Sequence, residues 1–97
     1  MSRILYDVRA KRDLEDIWRY IAQDSIVRAD GWIDHIERLL ALLATQPGMG
    51  KAYPMLGAGV RGLSFGSYLI LYQLDSQGIV ILRIIHAARE LKKAWQS

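Results

Sequence analysis

Four cationic side chains lie on or beside the most apolar, strand-like part of the sequence: Arg61, Arg83, His86 and Arg89. A charge beside an apolar strand is costly to bury unless it meets water, an anion or a partner group. These residue types can bind anions, and an imidazole such as that of His86 can transfer protons near neutral pH. A structural interpretation carries equal weight, in which Arg83 pairs with a helix carboxylate and His86 only ends a strand.

Metal chemistry has little support in the sequence. There is no Cys, and the two His residues, His35 and His86, are too few for a His-built metal site. His35 falls near the edge of an apolar helical stripe and is interpreted as a solvated or capping side chain. The acidic residues Asp13, Glu15 and Asp16 are interpreted as a solvated helix face near a helix N-terminus. We therefore expect no metal and no cofactor.

Length and composition limit the class of protein. With 97 residues and a hydrophobic fraction of 52%, the chain can bury one core, so we expect a single domain over residues 1–97. Its apolar runs fall far short of the roughly 20 residues that cross a bilayer, and no signal-peptide pattern begins the chain. We expect a cytoplasmic protein that does not engage a membrane. The net charge of +3 suits an acidic partner, either nucleic acid or an acidic protein.

In the first half of the chain, the spacing of apolar residues changes from a strand-like to a helix-like period. Alternation predicts a strand at 3–8. Apolar residues then recur at three- and four-residue intervals, which predicts amphipathic helices over about 9–23 and 26–45. A short polar link between them indicates an antiparallel hairpin. Trp18 and Trp32 lie on the apolar stripes, so they are predicted to be core residues.

The second half of the chain has the pattern of β-structure. Three β-rich runs at 60–65, 67–74 and 79–86 are separated by short turn signals, which predicts an antiparallel meander. With the first strand and the hairpin, this predicts an α+β fold whose helices pack on one face of a single sheet. The residues predicted to be largely buried are Trp18, Ile21, Trp32, Ile36, Leu40, Tyr68, Ile70, Ile81 and Ile84.

The last two strands are apolar on both faces, so the sheet needs two covers. The helical hairpin supplies one, and the second is the C-terminal segment 89–95, a partner chain or self-association. Strict alternation along the last strand groups Arg83 with Ile81 and places Ile81 and Ile84 on different faces. It also places Arg83 and His86 on opposite faces, so these two are not expected to form one dyad.

This order of elements resembles the ParE/RelE toxin superfamily of type II toxin–antitoxin systems along nearly the whole chain. The resemblance implies a RelE/ParE-like fold with an N-terminal strand, an antiparallel helical hairpin and a three-stranded antiparallel meander that completes one sheet. The segments that carry it are Asp13–Ile21 in the first helix, Ala29 with Trp32-Ile33 and Ile36 in the second, and Arg61-Gly62-Leu63, Tyr68-Leu69-Ile70, Ile81–His86 and Ala87–Leu91 in the sheet.

The resemblance implies one of two activities. RelE-like members cleave messenger RNA on the ribosome, which needs a base, an acid and cations, and here would use His86, Arg61 and Arg83. The C-terminal tail, however, lacks the Tyr that RelE-like nucleases often carry there. ParE-like members inhibit DNA gyrase by protein contact, and the His-x-x-Arg end of the last strand is similar to theirs. A third interpretation is an interaction module without toxicity.

From this resemblance we expect a non-enzymatic gyrase inhibitor. Because the tail lacks the nuclease Tyr and exposed Arg and aromatic residues dominate protein interfaces, we expect toxicity to depend on Arg61, Arg83, His86, Arg89 and the tail ending at Trp95. We also expect an acidic, ParD-like antitoxin that forms a hetero-oligomer with the chain. Its helix or extended segment should cross the apolar surface, on the argument that so small a domain cannot cover both sheet faces itself. Direct binding of nucleic acid is expected only under the RelE-like alternative.

Overall fold

The structure, a computed structural model, describes residues 3–97, so residues 1 and 2 of the predicted domain lie outside it. The predicted α+β fold is confirmed, and the two predicted helices nearly coincide with the observed ones. The helices are α1 (Val8–Ala22), α2 (Ile26–Thr45) and α3 (Leu91–Gln96). The strands are β1 (Arg3–Tyr6), β2 (Lys51–Ala52), β3 (Arg61–Phe65), β4 (Tyr68–Asp75) and β5 (Gly78–His86), with 3₁₀ turns at Pro47–Met49 and Pro54–Leu56.

Capping side chains fix where the hairpin helices begin. The carboxylate of Asp7 accepts a hydrogen bond from the backbone N–H of Arg9 at 2.9 Å, at the start of α1. The hydroxyl of Ser25 accepts one from the N–H of Arg28 at 3.2 Å, at the start of α2. Both side chains satisfy amides that have no partner within their own helix. None of the helices within residues 3–97 has the length and apolar character needed to span a membrane.

The sheet has five strands in the order β1-β5-β4-β3-β2. The predicted meander of β3, β4 and β5 is antiparallel, whereas β1 pairs parallel with β5, so the sheet is mixed. Strand β2 was not predicted, and it extends the sheet beyond β3 by a two-residue pairing. Because β1 ends at Tyr6, which pairs with Ile81, residues 83–86 of β5 pair with β4 alone.

A bulge at Leu82 changes which side chains of β5 share a face, since the pairing with β4 skips this residue. The extra residue resets the alternation, and Ile81 and Ile84 therefore lie in the same helix-side core. The prediction that they face different sides is wrong, as is the grouping of Arg83 with Ile81. Arg83 and His86 lie beyond the bulge, three positions apart, and do project from opposite faces.

Each face of the sheet has its own core. On one face α1 and α2 pack over β4 and β5, and the fully buried residues include Ile36, Leu40, Leu43, Ile70, Tyr72, Ile79 and Ile81. On the other face α3 and the loop before β3 cover Val60, Leu71 and Ile85. The chain's own C-terminal segment is thus the second cover. The argument that so small a domain cannot cover both sheet faces is wrong.

The predicted core is partly confirmed. Ile36, Leu40, Ile70, Ile81 and Ile84 are buried. The four others, Trp18, Ile21, Trp32 and Tyr68, are partly buried, and none of them is exposed. Trp32 and Tyr68 pack against the helix-side core and Trp18 does not. The polar atom of a partly buried aromatic ring usually finds a hydrogen-bond partner. The indole N–H of Trp18, for example, donates to the Asp30 carboxylate at 2.9 Å.

Candidate functional site

Arg83 is buried between the hairpin and the C-terminal helix, with 5% of its surface exposed. Its Nε donates to Asp13 Oδ2 at 2.8 Å and its Nη2 to Asp13 Oδ1 at 3.1 Å, a bidentate ion pair. Its Nη1 donates to the carbonyl of Ala94 at 2.7 Å and to those of Trp95 and Ser97 at 3.2 Å each. The guanidinium therefore closes the C-terminal end of α3 while it binds α1.

Asp13 has a second role at the open edge of β5. Its Oδ2 accepts a hydrogen bond from the backbone N–H of Ile84 at 2.9 Å, beyond the point where β1 ends. The interpretation of the acidic cluster as a solvated face is therefore wrong for Asp13. It holds for Glu15 and Asp16, whose side chains are 67% and 74% exposed and lie 3.9 Å from Arg19. The structural interpretation of Arg83, pairing with a helix carboxylate, is confirmed.

Arg61 lies apart from the other candidate residues, at the turn that follows α2. Its Nη2 donates to the carbonyl of Gly50 at 2.5 Å and to that of Gly48 at 3.2 Å. Its Nε is buried and has no partner among the described residues. The side chain therefore anchors the turn at 47–50 against β3 through its Nη2.

His86 and Arg89 are exposed at the end of β5. The His86 ring packs edge-on against Tyr68 with 5.2 Å between ring centroids, and its Nδ1 accepts a hydrogen bond from the N–H of Ala88 at 3.1 Å. The His86 carbonyl also accepts from the Arg89 N–H at 3.0 Å, which closes the turn after the strand. These contacts direct both side chains to the same side of α1.

A groove of about 290 Å³ separates α1 from the ends of β4 and β5. It has an apolar floor, two tyrosine rings and a charged rim. Its lining residues are Asp13, Asp16, Ile17, Tyr20, Tyr68, Ile84, His86 and Arg89. Burial raises the pKa of Tyr68 above its ordinary value of 10.0, and the neighbouring Tyr20 adds to the rise. The Tyr68 phenol is therefore neutral at physiological pH.

Trp95 is half-buried on α3 and packs into the second core. The guanidinium of Arg9 lies over its ring, 5.7 Å from the centroid, and donates to its carbonyl. Together with Arg83, Arg9 ties the end of α3 to the start of α1. Trp95 is thus placed by two arginines that the hairpin and β5 supply.

The candidate residues therefore form three groups. Arg83 and Trp95 meet at α3, His86 and Arg89 line the groove, and Arg61 lies at the turn after α2, while Arg83 and Arg89 also line a neighbouring pocket with Arg9 and Arg12. Asp13 is the site residue that sequence reasoning missed, because the contact that defines its role joins residues 70 positions apart. Across residues 3–97, no three His, Cys, Asp or Glu side chains cluster closely enough to hold a metal ion.

The cationic side chains of the candidate site differ in the partners they bind. Cleavage of RNA needs a base, an acid and cations directed at one phosphate. Here Arg83 is bonded to Asp13 and to carbonyls of α3, and Nη2 of Arg61 is bonded to carbonyls of the turn after α2. His86 and Arg89 line the groove, and Arg89 also lines a second pocket with Arg9, Arg12 and Arg83.

The fold has a solved counterpart. A structure of the "Chromosomal ParDE TA system from P. aeruginosa" matches 89% of this chain and 96% of its own, with a TM-score of 0.72 and 22% sequence identity. At this identity the match shows the fold alone. The class of protein that this match defines is an α+β domain with the same fold.

The sequence comparisons define the family more closely. Residues 4–91 match the family described as "ParE toxin of type II toxin-antitoxin system, parDE". Toxin ParE1 of Caulobacter vibrioides is 33% identical over 79 residues, which cover 80% of this chain and 81% of that protein. Toxin ParE1 of Mycobacterium tuberculosis is 24% identical over 94 residues, covering 95% and 96%. The chain belongs to the ParE toxin family of type II toxin–antitoxin systems.

Proposed function

We propose that this chain inhibits DNA gyrase by protein–protein contact and is neutralised by a ParD-like antitoxin. The proposal rests on the hydrogen-bond partners of two arginine side chains. The Arg83 guanidinium is bonded to Asp13 and to carbonyls of α3, and Nη2 of Arg61 is bonded to carbonyls of the turn at 47–50, so both side chains hold the fold together. Membership of the ParE toxin family supports the same conclusion.

The proposed target surface lies at the end of β5 and on α3. His86 and Arg89 are exposed there, and Lys92 and Lys93 are exposed on α3. Exposed arginine and a partly exposed aromatic residue such as Trp95 are types that contribute strongly to binding at protein interfaces. In this proposal Arg61 and Arg83 contribute to toxicity through the positions of the elements they hold.

The proposed antitoxin site is the groove beside α1. Ile17, Tyr20 and Tyr68 offer apolar surface, and the outer edge of residues 82–86 has no strand beside it within the described chain. An amphipathic helix or extended segment would pack its apolar side chains there, with acidic residues near Arg89. A stable complex should bury over about 1,000 Å². A disordered antitoxin tail would become ordered on binding.

The test uses the purified chain in two assays, one of gyrase supercoiling and one of ribosome-bound messenger RNA. We expect supercoiling to be blocked, or gyrase to be trapped on cleaved DNA, while the messenger remains intact. Adding the antitoxin should restore supercoiling. Arg89→Ala should weaken inhibition, whereas Arg38→Ala, an exposed arginine of α2 away from this surface, should not.

Two results would contradict the proposal. Codon-positioned cleavage of the messenger, lost in His86→Ala at unchanged stability, would assign the RelE-like activity instead. High-level expression without an antitoxin and without harm to the cell would favour the non-toxic interaction module.

A further inference from the structure

Helix α3 cannot hold its position by its own stability. It has six residues, Leu91–Gln96, and isolated helices this short are not stable in water. Its N-cap residue, Glu90, makes no side-chain capping bond. Packing supplies part of the missing stability, because Ala94 is buried and Leu91 and Trp95 pack against the sheet. The family match also ends at residue 91, so nearly all of α3 lies beyond it.

The rest of the stability comes from a chain of polar contacts that begins on α1. The N–H of Ile84 and the guanidinium of Arg83 fix the Asp13 carboxylate from two sides. The carboxylate in turn orients Arg83, whose remaining nitrogen reaches the last carbonyls of α3. Cations near the C-terminal end of a helix also interact favourably with its dipole. Asp13, Arg83 and α3 therefore form one continuous connection.

The connection determines which face of α3 is presented outward. Leu91, Ala94 and Trp95 face the sheet, while Lys92 and Lys93 are exposed. If α3 were released, the two lysines would lose their fixed position relative to the end of β5. An exposed salt bridge such as Lys93 with Glu90, at 3.6 Å, would not restore it.

We propose that Asp13 and Arg83 are positioning residues that lock α3 onto the sheet, and that they affect the target only by fixing Lys92, Lys93 and Trp95 of α3 in place. The part that concerns the target rests on the proposed function. The part that concerns α3 does not. Direct contact of Arg83 with a partner is disfavoured because its side chain is 6% exposed and its donors are already bonded.

The first experiment measures backbone amide exchange in Asp13→Asn. The N–H of Ala94, bonded to the Glu90 carbonyl at 2.9 Å, reports on α3. We expect its exchange to accelerate about tenfold or more, as for loss of a hydrogen bond to a charged group, with little change in β4. Glu15→Gln makes the same carboxylate-to-amide change on exposed α1 surface and should leave α3 unaffected. Unchanged exchange at Ala94 in Asp13→Asn would overturn the proposal.

A second variant covers the case in which Asp13→Asn unfolds the whole chain. Arg83→Lys keeps the positive charge, but an ammonium group lacks the planar fork that binds a carboxylate and the helix carbonyls together. Faster exchange confined to α3 is again expected. Equal acceleration in α3 and in β4 would show that α3 is not held separately, and that result would also overturn the proposal.

The last experiment separates positioning from direct contact through gyrase inhibition. Asp13→Asn should weaken inhibition in the unaltered chain and should add little when Lys92, Lys93 and Trp95 have been replaced by Ala. Equal losses in both backgrounds would mean that Asp13 acts without these residues of α3, which contradicts positioning. If gyrase is not the target, neither chain will inhibit supercoiling, yet the exchange of Ala94 will still accelerate in Asp13→Asn.

Discussion

The backbone N–H of Gly50 donates a hydrogen bond to the hydroxyl of Tyr72 at 2.9 Å, in the interior of the protein. The same hydroxyl donates to the carbonyl of Pro47 at 2.7 Å. Tyr72 is fully buried on β4, so its ring belongs to the helix-side core while its hydroxyl fixes the turn after α2. With Arg61 bonded to carbonyls of the same turn, this contact sets where the chain passes from the helical hairpin to the sheet.

Tyr72→Phe should destabilise the protein although it removes one oxygen atom. The Gly50 amide and the Pro47 carbonyl would each lose a partner in a place that water reaches poorly. A loss of about 1–3 kcal/mol in the free energy of unfolding is expected, measured by urea denaturation. Tyr20→Phe removes an exposed hydroxyl and serves as the control. An unchanged midpoint in Tyr72→Phe would show that the hydroxyl does not hold the turn.

Arg83→Ala should be far more destabilising than Arg89→Ala. The first change leaves the Asp13 carboxylate, 14% exposed, without its ion-pair partner and uncaps α3. Removing one member of a buried pair costs about 3–5 kcal/mol, whereas substitution of an exposed residue such as Arg89 changes stability by roughly 0.5 kcal/mol or less. Thermal unfolding of both variants decides the matter. Equal melting temperatures would contradict the assignment of Arg83 to the fold and Arg89 to the surface.

Helix and strand periodicity predicts most of this fold, because α1, α2 and β3–β5 each bury a face large enough to leave a pattern. The parallel pairing of β1 with β5 was not predicted, because the alternation of apolar and polar residues in a strand specifies neither its partner nor its direction. Helix α3 was not identified as a helix because six residues are too few to show a period. The bulge at Leu82 was not predicted, because β5 is apolar on both faces. A register shift by one residue therefore leaves its hydrophobic pattern unchanged.

The candidate site was harder to predict than the fold. Cationic residues on apolar strands can be identified from the sequence. The sequence does not show whether the fold brings a hydrogen-bond acceptor close to each of them. Arg83 forms an ion pair with Asp13, a residue of α1 that is distant in the sequence. Arg61 donates to backbone carbonyls of a turn, and backbone groups leave no pattern in the sequence. His86 and Arg89 did reach the surface.

Stability should fall at alkaline pH, and part of this fall should depend on Tyr68. Burial raises its pKa in the folded state above 10.0, and burial with Glu37 does the same for Tyr6. Folding therefore favours the neutral phenols. The stability this contributes is complete below about pH 10 and is lost as the pH rises from there through the folded-state pKa.

The measurement compares urea midpoints at about pH 9 and about pH 11 for the unaltered chain and for Tyr68→Phe. The midpoint should fall less in the variant, and less still when Tyr6→Phe is added. Lysine titration affects all three chains alike and cancels in the comparison. An identical fall in all three would mean that neither phenol is linked to folding.

Tyr20→Ala should weaken antitoxin binding without weakening the fold. The Tyr20 side chain is 70% exposed on α1 and borders the groove, so its ring can pack against a bound segment while contributing little to either core. Loss of a central aromatic contact costs roughly 2 kcal/mol or more, about a thirtyfold rise in Kd, which titration calorimetry would measure. Val27→Ala is the matched control, because Val27 is 82% exposed at the start of α2 and does not line the groove. If Val27→Ala weakens binding and Tyr20→Ala does not, the antitoxin crosses the end of the hairpin instead of the groove.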